Sequence, residues 1–470
     1  PRFPSGGSGR ISGALHRGRR SSQSCTKPMG QSRSGKGHPL FLLSLGCAKN
    51  QVDSERLAAC LEAWGFQLVE TVEEARTAIV NTCGFIRPAA EESIRAILDL
   101  EGLKAEGRLE RIGLVGCLLN RYGEELRKEL PSVDFWAEAE DWGTLGKQLG
   151  RKEPLCQAGR KMLPEGGKWS RYLKIAEGCS NRCSYCTIPS IRGSLRSLSP
   201  ELLVPEAVEL AGQGAREICL VAQDLTAWGT DLYGAPSLPA LLSELERALP
   251  EETWLRLLYL HPSGIDDILL EHVLGSSRIL KYLDIPIQHA DPRMLGEMNR
   301  EITPERLRHV FRKLRDADPD FALRTTIMVG HPGEDERAFE ELLRFVEEIR
   351  FDRLGAFEFS PEDGTASAKM PGKIPARVKK KRLQRLMSLQ EEISLERQAR
   401  MEGRKLKVLV ESVDPGEGLA FGRSYREAPE VDGVVEIRGG DLLVPGNFAT
   451  VLVSEVLEHD LVAEVQEDGL

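Results

Sequence analysis

Three cysteines in the stretch Glu177-Gly178-Cys179-Ser180-Asn181-Arg182-Cys183-Ser184-Tyr185-Cys186 stand at C-x-x-x-C-x-x-C spacing, in a loop after the apolar run Tyr172 to Ala176. A loop this short turns three thiolates toward one point, and thiolates are the usual ligands of iron–sulfur clusters. A cubane of four irons bound by three cysteines keeps one iron without a protein ligand. An open iron suits chemistry, whereas pure electron transfer avoids it. A zinc knuckle is the alternative, but closed zinc sites want four ligands and no fourth Cys or His lies nearby. A second trio, Cys47, Cys83 and Cys117, is spread at intervals of 36 and 34 residues. Each follows a predicted strand, where doubly wound α/β folds gather their ligands. Three buried core cysteines would be the other reading of that trio, since Cys often behaves as a small hydrophobe.

The elements that must position these sulfurs are legible as alternating apolar runs and helical stretches. From Pro39 to Cys156 the pattern implies βαβ units with a parallel sheet: strands Leu40–Leu45, Ala78–Asn81 and Ile112–Val115, with helices Ser54–Trp64 and Ala89–Leu100. A loop at Ala158–Lys168 marks a boundary. Six further strands follow: Tyr172–Ala176, Glu217–Val221, Trp254–Leu260, Lys281–Ile285, Ala322–Val329 and Arg353–Phe359. Helices Leu202–Ala211, Leu238–Leu249, Ile265–Leu274, Pro304–Ala317 and Ala338–Ile349 separate them. Six βα units predict a partial parallel barrel whose site lies at the carboxyl face of the strands, and the Cys179 loop follows the first of them. Pro375 opens another helix, with a basic face and an expected buried stripe of Leu383, Leu386, Met387 and Ile393. Beyond Met401 the period changes to two, and Leu406–Glu411, Gly433–Ile437 and Phe448–Val453 read as strands of a small antiparallel barrel.

The chain is an α/β protein with four expected parts: a basic leader over 1–37, an N-terminal doubly wound domain over 38–165, a barrel domain over 166–400 and a β-barrel over 401–470. The leader holds eight Lys and Arg and no acid, and is expected to be disordered; Met29 is a candidate start. No apolar run reaches the eighteen or so residues of a membrane helix, so no membrane partner is expected. Ten cysteines in 470 residues are too sparse for a disulfide framework and suit metal binding in a reducing, cytoplasmic setting. Cys25, Cys60, Cys156 and Cys219 fit neither trio. The overall charge of −9 argues against general nucleic-acid binding. From Met401 to Leu470 there are 15 acidic and 6 basic residues. Such a module repels phosphate and attracts a basic protein.

The Cys179 loop, with an aromatic residue before its last cysteine, resembles the radical S-adenosylmethionine (SAM) superfamily. Two three-cysteine sites, a six-unit barrel and a β-barrel tail together resemble the methylthiotransferases, which join an N-terminal cluster domain, a radical SAM domain and a TRAM domain. Four segments resemble the branch that modifies an aspartate of a ribosomal protein: Gly46-Cys47-Ala48-Lys49-Asn50, with Ala48 where Pro is usual, Gln223-Asp224-Leu225-Thr226, Ser360 to Thr365, and Gly422 to Gly433. The resemblance implies two 4Fe-4S clusters, one on Cys179, Cys183 and Cys186 and the other on Cys47, Cys83 and Cys117, with SAM as methyl donor and radical source. A radical is needed because no side chain removes an unactivated hydrogen as a proton. The implied substrate is an aspartate β-carbon of small-subunit ribosomal protein twelve, free or in the assembled subunit. An electron donor of flavodoxin or ferredoxin type is implied as well. Expected SAM contacts are Tyr185, Gln223 in place of the usual Gly-Gly-Glu acid, Arg324 on the fifth strand, and Gly330 and Glu334 of the Gly-His-Pro-Gly-Glu turn, whose glycines let backbone approach a cofactor. A tRNA adenosine methylthiotransferase is the nearest alternative. A two-cluster electron carrier, or a scaffold that keeps clusters only for folding, is the alternative of another class.

Overall fold

The computed structural model describes residues 38–151, 159–163 and 168–466. The expected leader, Cys25, Cys156 and residues 158 and 164–167 of the boundary loop lie outside the described residues. The N-terminal unit runs β1 His38–Ser44, α1 Ala48–Ala63, β2 Phe66–Val69, β3 Thr77–Thr82, α2 Arg87–Ala105, β4 Arg111–Gly116, α3 Cys117–Glu129, β5 Phe135–Ala137 and α4 Trp142–Gln148. Its sheet is parallel in the order β2-β1-β3-β4-β5, one of the two common doubly wound orders. Alternate strand residues serve opposite faces. Val80 and Leu114 pack under α2 and α3 through Ile97, Leu100 and Leu118, while Leu40, Ile79 and Val115 pack under α1 and α4 through Leu57, Leu61 and Leu145. Strands β2 and β5, of four and three residues, were too short to read from the sequence.

Six parallel strands follow in sequential order: β6 Ser170–Lys174, β7 Glu217–Val221, β8 Trp254–Leu257, β9 Ile279–Asp284, β10 Ala322–Val329 and β11 Arg353–Glu358. The sheet is open between β6 and β11, so it is a partial barrel, as expected. Leu173, Leu220, Leu283 and Leu323 point outward into the helical layer. Tyr172, Cys219, Tyr282 and Ala322 point inward and meet Leu409 and Ala428 of the C-terminal unit.

That unit is a closed barrel of β12 Lys405–Asp414, β13 Leu419–Arg423, β14 Val435–Arg438, β15 Phe448–Val456 and β16 Leu461–Val465, in the order β12-β13-β14-β16-β15. One pair, β14 with β16, is parallel rather than antiparallel. Five strands close only when the last, after its hairpin with β15, inserts beside β14.

Residues 422–433 of this unit fill the inner face of the partial barrel. Glu217 accepts from Arg256 Nε at 2.6 Å and Arg423 Nη2 at 2.7 Å, and Tyr282 donates to Asp432 at 2.7 Å. Asp352 accepts from Arg315, Arg397 and Arg426 at 2.8, 3.0 and 3.0 Å. Burial by itself pushes the Glu217 carboxyl up, but Arg423 and Arg256 outweigh it and hold it down to about 2, from an ordinary 4.5. Because the folded value lies below the unfolded one, this stabilisation is complete above pH 4.5 and is lost as pH falls through about 2. The difference corresponds to about 3 kcal/mol. Wild type is therefore expected to lose its stability advantage over Glu217→Gln across that window, in denaturant unfolding followed by far-UV circular dichroism. A gap unchanged between pH 6 and pH 2.5 would contradict the assignment.

Helix α1 starts at Ala48, six residues before the expected Ser54, with Cys47 as its N-cap residue. The first turn has no apolar periodicity because Asn50 turns inward to cap backbone: its Nδ2 donates to the Leu45, Asn81 and Thr82 carbonyls. The long helix Ala376–Ala399 differs too. Leu386 and Ile393 are buried and Leu383 half-buried, but Met387 is 37% exposed. Arg382, Gln390, Ser394 and Arg397 take the buried stripe instead, since the helix faces Glu334 and Asp352.

Candidate functional site

Glycines at strand ends bring the first trio of cysteines together. Gly46 has φ +96°, and a Cβ there would lie 2.7 Å from Cys83 Cβ and 3.0 Å from its Sγ. The loops after β1 and β3 are thus in contact, and only glycine fits. Gly116 has φ +98° and presses against Asn81 and Thr82 in the same way. Ser93 Oγ accepts from Cys83 N and donates to Cys83 O, both at 3.0 Å, fixing that loop. The second trio is held by backbone: Cys179 N donates to Gly193 O at 3.1 Å, Ser184 N to Met298 O at 3.0 Å, and Cys186 N to Cys183 O at 3.1 Å.

All six cysteines line one cavity of about 340 Å³, at the carboxyl ends of both sheets. Burial pushes the Cys83 and Cys179 thiols up to about 11 and Cys186 to about 12, and raises Cys117 as well. Thiols in that state ionise only when a cation binds them, so the donor set fits a metal cluster. Polar groups on the opposite wall await partners. Gln223 Nε2 donates to Glu177 Oε1 at 2.7 Å, while Gln223 Oε1, Gln288 Oε1 and His261 Nε2 are buried without a hydrogen bond among the described residues. Burial, with Arg300 adding to it, lowers His261 to about 4, so its ring is neutral. Tyr259 and Gln288 hold φ of +63° and +67°, strained values that cluster at binding sites. These orphaned groups fit a polar cofactor that offers hydrogen-bond partners to them.

Three basic side chains line the cavity. Arg300 Nη1 donates to the Tyr185 hydroxyl at 3.0 Å and points at Cys183 Sγ at 3.8 Å, while its Nη2 donates to Pro286 O at 2.6 Å. Arg192, the last residue of the short helix Ile188–Arg192 after the Cys179 loop, crosses to the N-terminal unit. Its Nε donates to Cys117 Sγ at 3.1 Å, Nη1 to Asp53 at 2.8 Å and Glu177 at 3.1 Å, and Nη2 to Asn50 at 3.1 Å. Lys174 bonds Asp53, Glu140 and Glu177, so the three carboxylates that converge there enclose its ammonium. Lys49 lies with Nζ 3.5 Å above the Tyr259 ring.

Of the residues expected to meet SAM, Tyr185 and Gln223 line the cavity. Arg324, Gly330 and Glu334 do not. Arg324 is the third residue of β10, at the amino end of the strand, and it pairs with Asp284 at 2.8 Å and lies 3.6 Å from Asp432. Glu334 closes its own turn by accepting from Gly330 N at 2.9 Å, and it binds Arg382 at 2.7 Å. Gly330, at φ +78°, backs onto Lys379. His331 in the same turn is tied to the cysteine loop: its Nε2 meets Ser367 Oγ at 2.8 Å, and Ser367 donates to Ser184 at 2.7 Å. Arg192 and Arg300 carried no signal in the sequence, because each acts through residues remote along the chain.

Residues 40–138 match the model of the uncharacterized protein family UPF0004, residues 173–346 the radical SAM superfamily and residues 403–465 the TRAM domain. The "Ribosomal protein uS12 methylthiotransferase RimO" of Pelotomaculum thermopropionicum is 44% identical over 452 residues, covering 91% of this chain and 99% of that protein. The protein of the same name from Geobacter sulfurreducens is 42% identical over 438 residues, 90% and 98% of the two chains. Among solved structures, the radical SAM methyltransferase TsrM from Kitasatospora setae superposes with a TM-score of 0.51 at 13% identity, over 68% of this chain and 72% of that one. This likeness is one of fold.

Proposed function

The chain belongs to the RimO family of ribosomal protein uS12 methylthiotransferases, and from that premise we propose how its residues divide the work. The protein is a radical SAM methylthiotransferase that modifies the β-carbon of an aspartate on uS12. Cys179, Cys183 and Cys186 hold one 4Fe-4S cluster, and Cys47, Cys83 and Cys117 hold a second. Together with SAM these groups supply a radical able to remove an unactivated hydrogen and a sulfur ready for methylation and transfer. Gln223 Oε1 accepts from the SAM amine, and the Arg300–Tyr185 pair keeps the cysteine loop in register. Phe85, Ile188 and Pro286 give the cavity apolar lining that keeps bulk water from it. The parts divide as a cluster domain over 38–165, a radical SAM domain over 166–400 and a TRAM domain over 401–470. Electrons come from a flavodoxin- or ferredoxin-type donor in the cytoplasm.

The observation that carries this reading is the arrival of two cysteine trios, far apart in sequence, on one cavity whose lining has no carboxylate. A carboxylate there would compete for iron. The acidic C-terminal unit, with 15 acidic against 6 basic residues, suits a basic ribosomal protein and not tRNA phosphate. Mass spectrometry of uS12 from cells lacking this gene is expected to lose the methylthio increment on one aspartate, with tRNA modification intact. Loss from tRNA adenosine with uS12 unchanged would select the other branch.

A further inference from the structure

Resting on the reading above, we propose that Lys49 is the residue that selects aspartate, by binding the carboxylate of the substrate side chain. The cavity is lined by three basic side chains and by no Asp or Glu. Arg192 commits its donors to Asp53, Glu177, Asn50 and Cys117, and Arg300 commits both terminal nitrogens, to Tyr185 and Pro286, with only its Nε unpaired among the described residues. Of the three cations, Lys49 alone has a charged head with no hydrogen bond among the described residues: its Nζ rests on the Tyr259 ring, with no carboxylate in ion-pair range. An ammonium has three donors, and one face of an aromatic ring satisfies none of them as an acceptor would.

Position on the wall decides what Lys49 meets. It follows Cys47 by two residues on the N-terminal side of the cavity, and its Nζ reaches across to Tyr259 on the barrel side, where Gln223, Tyr185 and Arg300 also lie. In the reading above SAM occupies the barrel side. The substrate carbon must lie between that side and the sulfur on the Cys47 side. In aspartate the carboxylate is one bond from the β-carbon, so a salt bridge of about 2.8 Å to Nζ holds the reacting carbon near both walls. The same charge rejects competitors. An acidic side chain pairs with the Lys49 ammonium, whereas a Lys or Arg of the ribosomal protein at that spot meets a like charge.

Reconstituted enzyme carrying Lys49→Met or Lys49→Arg is to be assayed on uS12 and on uS12 with the target Asp replaced by Asn. Lys49→Met is expected to lower kcat/KM on the Asp substrate by about 10- to 100-fold, the range of a charged hydrogen bond. Wild type is expected to prefer Asp over Asn, and Lys49→Met to lose that preference, while Lys49→Arg keeps part of it. Iron content and the KM for SAM are expected to stay at wild-type values. Equal losses on the Asp and Asn substrates, a fall in iron content, or a raised KM for SAM would each overturn the assignment, because Lys49 would then serve the fold, the cluster or SAM. Wild type that leaves uS12 unmodified would sink the functional reading itself. Wild type that works alongside an unimpaired Lys49→Met would sink the Lys49 proposal alone.

Discussion

Cys83→Ala is expected to halve the iron of the reconstituted protein, from about eight to about four atoms per chain, and to abolish methylthio transfer while reductive cleavage of SAM persists. Cys179→Ala is expected to halve the iron as well, but to lose both activities. The asymmetry follows from position. Cys83 lies in the loop after β3, pinned by Ser93 and touching Gly46, on the N-terminal wall. Cys179 opens the loop on the barrel wall, beside the orphaned Gln223. Both sulfurs share a cavity, so activity alone cannot separate them, whereas iron counted with 5′-deoxyadenosine can. Full iron in Cys83→Ala would remove the second cluster from the scheme. Loss of SAM cleavage in that variant would mean the two walls do not work separately.

Arg192→Met is expected to cost about 3–5 kcal/mol, the usual result of removing one partner from a buried charge group. Asp53 and Glu177 are buried, and burial by itself pushes the Asp53 carboxyl up; Lys174 and Arg192 outweigh it and hold it below the ordinary range. Without Arg192, the single ammonium of Lys174 faces both acids and Glu140. The contact between the N-terminal unit and the cysteine loop also loses its donor to Cys117 Sγ and its bond to Asn50. Iron content is expected to fall with stability, because the guanidinium holds the Cys117 wall against the Cys179 loop. Arg192→Lys restores a charge but not four directed donors, and is expected to recover less than half of the loss. Denaturant unfolding and iron analysis check both variants. A change below about 1 kcal/mol would mean that the ion group is solvated and weak.

Asp53 shows why some of this was invisible beforehand. In sequence it is an acid immediately before the expected helix start at Ser54. In the fold it is the second turn of α1, buried against Lys174 and Arg192 from 121 and 139 residues away. Periodicity senses only neighbours within a turn or two, so a helix buried by polar contacts looks like no helix at all. The misplacement of Arg324 has a different cause. Its strand was legible to the residue, but its third position sets the side chain toward the amino end, where Asp284 and Asp432 neutralise it. Glu334 likewise belongs to a turn that satisfies itself through Gly330 N.

Local matters were legible from residue order: the three-cysteine loop, the cysteines at strand ends, six barrel strands, and an acidic β-rich tail. Each is set by spacing within one element, where types and periods act directly. Only the tertiary structure decided that both trios share one cavity and that residues 422–433 fill the inside of the partial barrel. It also decided that Arg192 and Arg300 are committed to internal partners while Lys49 is not. Those facts depend on which charges meet once a hundred or more residues of chain have been brought together. A side chain's freedom to bind a ligand is what remains after those meetings, and no local pattern records it.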